Sequence, residues 1–338
     1  MTMIKLIRSA LVALVLLGTV RANAQATDAA DEAPPSVEPP SVVPPSDAPS
    51  AEKPADAPQA SPAVAPASPA HVLEAGPTDL SRMRLMPDDR WIRLGSAVEF
   101  GALSVVTHTI QFGREGTELD YVKEGGQDNL FPFARASLEA TLWQQHTFVA
   151  LYQPLTIETD AVLGRDLQVY DEVFSAGTPM KLKYGFDFVR FSYFYDFLPE
   201  VSEELGIGLS LQLRDAVIGF ASADGKQLVS NSGLGPVPIL KARFRHQLDN
   251  GFFYAAEADG FWASGRIITG TANDFEGAIA DVSLRAGAPV TGFANVFANF
   301  RYIGGGARGV EEQEGRSGDG FANNWLQTVI VSMGLELR

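Results

Sequence analysis

Cysteine is absent from all 338 residues. That excludes disulfides, thiolate metal ligands, cysteine nucleophiles and a lipid-bearing N-terminal cysteine. Basic residues are few: 26 Lys and Arg stand against 41 Asp and Glu, a formal net charge of −15. Nucleic acid is therefore an unsuitable partner, because duplex binding relies on clustered cations. Only four histidines are available for acid–base or metal chemistry. No HExxH, Walker or calcium-loop pattern occurs, so no cofactor and no metal are expected. Gly206-Ile207-Gly208 lies inside a strand-like run with no helix after it, and its glycines relieve crowding rather than cradle phosphate. Beyond the first residues no apolar run is long enough to cross a bilayer as a helix. A chain of this kind that spans a membrane must do so as a closed barrel.

What is present begins with a secretory pattern. Lys5 and Arg8 form a positive n-region, Ala10 to Val20 a short apolar h-region, and Ala22-Asn23-Ala24 a small-x-small cleavage site. Residues 1–24 are expected to be a signal peptide, and Gln25 the mature N-terminus. From 25 to about 85 the chain is dominated by Ala and Pro, with Pro34-Pro35, Pro39-Pro40 and Pro44-Pro45 recurring as pairs. Such a segment buries too little apolar surface to offset chain entropy. It is expected to be a disordered periplasmic tether, with peptidoglycan as a partner within its reach.

Residues 86–338 read as all-β. Period-two alternation replaces low complexity: Leu205, Ile207, Leu209, Leu211 and Leu213 share one face, and Gly206, Gly208, Ser210, Gln212 and Arg214 the other. Val329, Val331, Met333 and Leu335 repeat the pattern near the end. Ten such segments are legible, at 94–112, 130–143, 147–159, 181–197, 205–220, 237–247, 252–263, 276–288, 293–303 and 325–337. The connections alternate in length. Those at 113–129, 160–180, 221–236, 264–275 and 304–324 are long, and the others are short. Transmembrane barrels join their strands by short periplasmic turns and longer extracellular loops. Alternation of strands and alternation of loops thus agree on a closed antiparallel barrel of about ten strands, with both ends periplasmic.

Region 91–338 resembles the small monomeric outer-membrane β-barrels of Gram-negative bacteria in pattern, though it ends Leu335-Glu336-Leu337-Arg338 where such barrels usually carry an aromatic residue. The resemblance implies the outer membrane as location, and its lipids and lipopolysaccharide as partners. Ten is also the strand number of the omptin proteases, which use acidic pairs and a His-Asp pair near the rim of the lumen. Here His108 groups by parity with Val106 and Ile110 on the apolar face. His146 and His246 fall at the periplasmic end, and His71 in the tether. The omptin likeness stops at strand number.

The polar parity carries Arg135, Glu139, Arg190, Lys241, Arg243, Arg245, Glu257, Asp259, Asp281, Arg285 and Arg301. Both signs occur, which suits a lumen filled by paired side chains; ten strands enclose far less space than a porin. The leading expectation is a non-enzymatic envelope or surface protein with a filled lumen. A narrow solute channel is the alternative, and a surface hydrolase using Asp259 and Asp281 as an acid–base pair is the third reading. Ser104 and His108, four residues apart on one face by the same parity, would lie roughly 13 Å apart along a strand, beyond hydrogen-bond reach. Lys181 and Lys183 are candidates for contact with lipid phosphates. Asp249-Asn250-Gly251 predicts a three-residue hairpin loop with Gly251 left-handed. That turn sets Arg243 opposite Glu257 and Lys241 opposite Asp259. A small hairpin around Asp171-Glu172 is expected to stand beyond the membrane.

Overall fold

The computed structural model describes residues 91–198, 202–264, 275–310 and 319–338. The signal peptide and the tether lie outside the described residues. The strands, in chain order, are β1 (Ile92–Phe112), β2 (Leu119–Asp120), β3 (Leu130–Leu142), β4 (His146–Gln153), β5 (Thr156–Val162), β6 (Leu167–Val169), β7 (Glu172–Phe174), β8 (Pro179–Asp196), β9 (Glu203–Ser222), β10 (Leu228–Gln247), β11 (Phe253–Ser264), β12 (Glu276–Pro289), β13 (Ala294–Val310) and β14 (Phe321–Leu337). Every neighbour pairs antiparallel, and β14 returns to β1 along sixteen partnered positions from Ser96↔Leu337 to Phe112↔Ala322. The sheet is therefore a closed barrel of ten staves, β4 and β5 sharing one of them. Pro154 separates those two strands. It brings no backbone donor to the ladder, and the Leu155 N–H donates instead to Asp187 Oδ1 at 2.9 Å.

The outer face is apolar because alternation places every second residue there. Leu138, Phe148, Leu209, Leu240, Leu284 and Met333 are all exposed. A contiguous apolar exterior of this extent would be insoluble in water and is what a bilayer solvates. At one end of the barrel the connections are short: 143–145, 248–252 and 290–293. The expected loop at 248–252 forms with Gly251 at φ 84° and Leu248 and Phe252 joined by a 2.8 Å backbone bond. The resulting register is Arg243↔Glu257 and Lys241↔Asp259.

At the other end the structure corrects the loop lengths. The stretch 221–236 is mostly strand: β9 runs to Ser222 and β10 starts at Leu228, leaving a five-residue turn. Likewise β13 extends to Val310 and β14 begins at Phe321. The barrel wall simply continues past the apolar belt, with a mixed exterior (Ser230, Ser232 and Arg308 beside Leu228 and Val310) that hid its period from a search for hydrophobic alternation. The long connections 113–129 and 163–178 do not stand off the barrel either; they fold into its mouth.

Candidate functional site: a lumen filled in two layers

The half of the interior nearer the short turns is ionic. At its centre lies Asp281, 1% exposed. It accepts Arg135 Nη1 at 3.1 Å, Arg190 Nη1 at 3.0 Å, and an Arg301 guanidinium N–H. Asp259, opposite Asp281 across β11 and β12, is paired with Arg190 at 3.0 Å and Lys241 at 3.2 Å. Lys241 also reaches Glu257 at 3.1 Å. Gln153 and Gln212 carbonyls hold Arg135 and Arg190 from the side, at 3.1 Å and 2.7 Å. Glu99 accepts Asn299 Nδ2 at 3.0 Å and faces Arg301 at 3.6 Å and Arg285 at 3.9 Å.

Below this, towards the short turns, Arg243 bonds Glu139 at 2.6 Å and also Glu204. Arg245 grips Glu336 with both terminal nitrogens, at 2.7 and 3.2 Å. Arg338 lies 3.8–4.0 Å from Glu204, Glu336 and Glu139. The guanidinium groups of these arginines lie over aromatic rings: Arg245 over Phe253 at 3.6 Å, Arg285 over Phe297 at 4.1 Å and Arg243 over Phe194 at 4.3 Å. A cavity of about 50 Å³ remains among Arg135, Glu139, Lys241, Arg243, Arg285 and Arg338, enough for ordered water and not for a substrate.

The eleven charges read from the sequence thus come together in one network. Glu99, Glu204, Glu336 and Arg338 complete it and were not singled out. Glu336 lies on the polar parity of its strand, so alternation could have found it. Glu204 falls one residue before the span assigned to its strand, and Arg338 lies beyond the last alternating residue. Register places Arg243 opposite Glu257, yet its guanidinium turns to Glu139 and Glu204 on other strands, while Lys241 takes Glu257. For Asp259 and Asp281 the consequence is chemical. Two carboxylates share a proton when nothing else neutralises them. Here each is already matched by buried cations and shut from solvent, so neither is placed to give or take a proton from a substrate.

The half nearer the long loops is apolar. Leu103, Ile110, Phe112, Leu119, Tyr121, Ile157, Leu182 and Phe220 from the walls and loops meet Leu167, Val169, Tyr170 and Phe174 from the β6–β7 hairpin. The hairpin pairs as Val169↔Glu172, so its turn is Tyr170-Asp171, one residue earlier than expected. It does not stand free. Tyr170 N–H donates to Phe112 O at 3.1 Å, Asn231 Nδ2 donates to Tyr170 Oη at 2.8 Å, and Phe174 is wholly buried. Only Asp171, Glu172 and Val173 at the tip are exposed.

His108 belongs to this layer, which corrects its assignment. The β1–β14 register shifts between Val105 and Thr107. This bulge adds one residue and reverses which parity faces inward. Val106 is left half exposed, while His108 is fully buried, bonded through Nδ1 to Gln127 Oε1 at 2.7 Å and stacked on Tyr121 with centroids 4.4 Å apart. Ser104, before the bulge, faces outward, so the two do not share a face. Lys181 and Lys183 are exposed on β8, and Lys183 pairs with Glu158 at 2.6 Å. At the β9–β10 turn, hydrogen bonds from Ser222 and Lys226 draw the Asp224 carboxyl down to about 2. Among the described residues no group of His, Asp and Glu is arranged to hold a metal ion.

A closed antiparallel barrel with an apolar exterior and a charged interior is the build of outer-membrane β-barrel proteins, and this chain is similar to them as a class. Among solved structures, the outer membrane protease OmpT from Escherichia coli aligns over 72% of this chain and 96% of its own, at 12% identity and a TM-score of 0.42. The Ail attachment invasion locus protein of Yersinia pestis aligns over 72% and 99%, at 9% identity and 0.31. The toluene transporter TodX of P. putida aligns over 72% and 90%, at 8% identity and 0.30. No family model and no curated protein matches. At such identities the likeness is one of fold, and it brings no activity to this chain.

Proposed function

We propose that this chain is a sealed, non-conducting outer-membrane barrel that serves the envelope as an anchored surface protein rather than as a channel or hydrolase. The short turns and segment 25–85 lie in the periplasm, and the extended strands rise outside. The observation that carries the reading is the filling of the lumen: Asp281 locked by Arg135, Arg190 and Arg301 beneath an apolar layer that closes the mouth. A solute would have to displace both. The tether is a spacer of at most roughly 3.1 Å per residue, long enough to approach peptidoglycan. Lys181 and Lys183 are placed to meet lipopolysaccharide phosphates at the outer rim.

The test is conductance of the purified full chain in planar bilayers. A flat baseline at moderate voltage is expected, and steady single-channel steps would overturn the sealed reading. Orientation is tested on whole cells: a tag inserted between Asp171 and Glu172 should label without permeabilisation.

A further inference from the structure

On the outer wall, register lays the outward side chains of β1, β3, β4 and β8 in rows. Leu94, Ala140, Phe148 and Tyr193 form one row, and Ser96, Leu138, Ala150 and Phe191 the next. In each row an alanine stands among larger residues, and the two alanines are diagonal neighbours. The result is a groove of about 430 Å³, floored by Ala140 and Ala150 and walled by Leu94, Leu138, Phe148 and Phe191.

The groove ends at a polar–aromatic rim on the short-turn side. His146 Nδ1 lies 3.0 Å from Tyr193 Oη, and Gln145 Nε2 donates to Tyr195 Oη at 2.8 Å. The Trp143 ring stands edge-on to His146 and is 63% exposed. The turn that presents it holds Trp143 and Gln144 at φ 49° and 65°, a left-handed conformation that non-glycine residues seldom keep without a reason.

We propose that this groove binds one acyl chain of a phospholipid from the periplasmic leaflet, with the lipid's ester and phosphate region against Tyr193, Tyr195 and Trp143. The inference rests on the outer-membrane reading above. If the wall faces a bilayer, hydrocarbon is its solvent, and an unfilled groove would forfeit dispersion contacts along both walls. Amphipathic rings at the foot of an apolar wall mark the depth at which headgroups begin. None of the rim residues named above is a lysine or arginine, so the chain rather than the headgroup charge supplies the affinity.

The experiment is native mass spectrometry of the detergent-extracted full chain, delipidated and then given palmitoyl-oleoyl phosphatidylethanolamine. One lipid should be retained, equally at low and high salt. Ala140→Leu with Ala150→Leu fills the groove with side chains a bilayer tolerates. It should reduce retention to background while heat-modifiable migration on gels stays that of the folded barrel. Ala256→Leu with Ala258→Leu, on the outward face of β11, should leave retention unchanged. Equal retention in both variants, or loss in both, would mean annular lipid only and overturn the proposal. A dimer that only the groove-filling variant dissociates would also overturn it, by giving the groove to a second copy. Recovery of the chain in the aqueous phase without detergent would instead refute the membrane reading itself.

Discussion

Arg243 lies within reach of two carboxylates that are remote from it in sequence, Glu139 and Glu204, and its guanidinium also lies over the Phe194 ring. Period-two alternation and turn chemistry are enough to say which way its Cα–Cβ bond points and which residue stands opposite. They do not say where six further heavy atoms go, because in a narrow lumen the far wall is as close as the neighbouring strand. The opposed pair Arg243 and Glu257 is therefore a register pair without being an ion pair. Arg243→Ala leaves Glu139 and Glu204 in an enclosed site and should cost about 3–5 kcal/mol if that site is dry, towards the lower figure because both acids keep some contact with water. A double-mutant cycle of Arg243→Ala with Glu139→Ala should show coupling of about 1–3 kcal/mol, and the cycle with Glu257→Ala clearly less. Denaturant titration followed by heat-modifiable migration measures both. Equal coupling would mean that the directly opposite partner holds the guanidinium after all.

At the scale of elements, the local signals that were legible are those with a fixed chemical cause. The Asp249-Asn250-Gly251 loop is one. Its left-handed position admits glycine readily, and here a Cβ would also lie 2.8 Å from Pro289 Cγ. Gly251→Ala should destabilise the β10–β11 hairpin by about 1–2 kcal/mol from backbone conformation alone, more if Pro289 cannot give way. Amide hydrogen exchange at Leu248 and Phe252 should rise above that at the β12–β13 turn; unchanged protection would show the left-handed constraint to be unimportant. The bulge at Val106 had no such signal, since two adjacent valines suit an ordinary strand as well as an irregular one. That single extra residue sent His108 inward and left Ser104 outside. The outer ends of β10, β13 and β14 were hidden for a different reason. Beyond the apolar belt their outward residues mix Ser230, Ser232 and Arg308 with Leu228 and Val310, so no regular alternation in hydrophobicity marks them although the strand continues.

At the scale of the molecule, closure and the strand count were readable because two patterns of independent origin, strand alternation and loop length, constrain the same barrel. The plug was not, because an apolar residue in a loop says that it will be covered without saying by what. Leu167, Val169, Tyr170 and Phe174 suit a free hairpin and a folded-in one equally, and only the width of the mouth decides. The two fillings, apolar and ionic, lie in series along the lumen, so on the sealed reading proposed above either one alone should block it. Replacing Asp166–Ser175 by a short Gly-Ser linker preserves the stem, where Leu163 and Thr178 are bonded at 3.1 Å and Gly177 and Leu163 at 2.7 Å. It removes the hairpin's part of the apolar layer and leaves Asp281 with its three guanidinium partners untouched. An ion crossing that layer would have to part charges that are almost wholly shut from water, where separating them is costly. The shortened protein should therefore be less stable, having lost buried Phe174 and its neighbours at about 3–5 kcal/mol for a residue of that size, and yet remain at baseline in planar bilayers. Steady current through it would show that the ionic layer does not seal, and that the hairpin alone keeps the barrel shut.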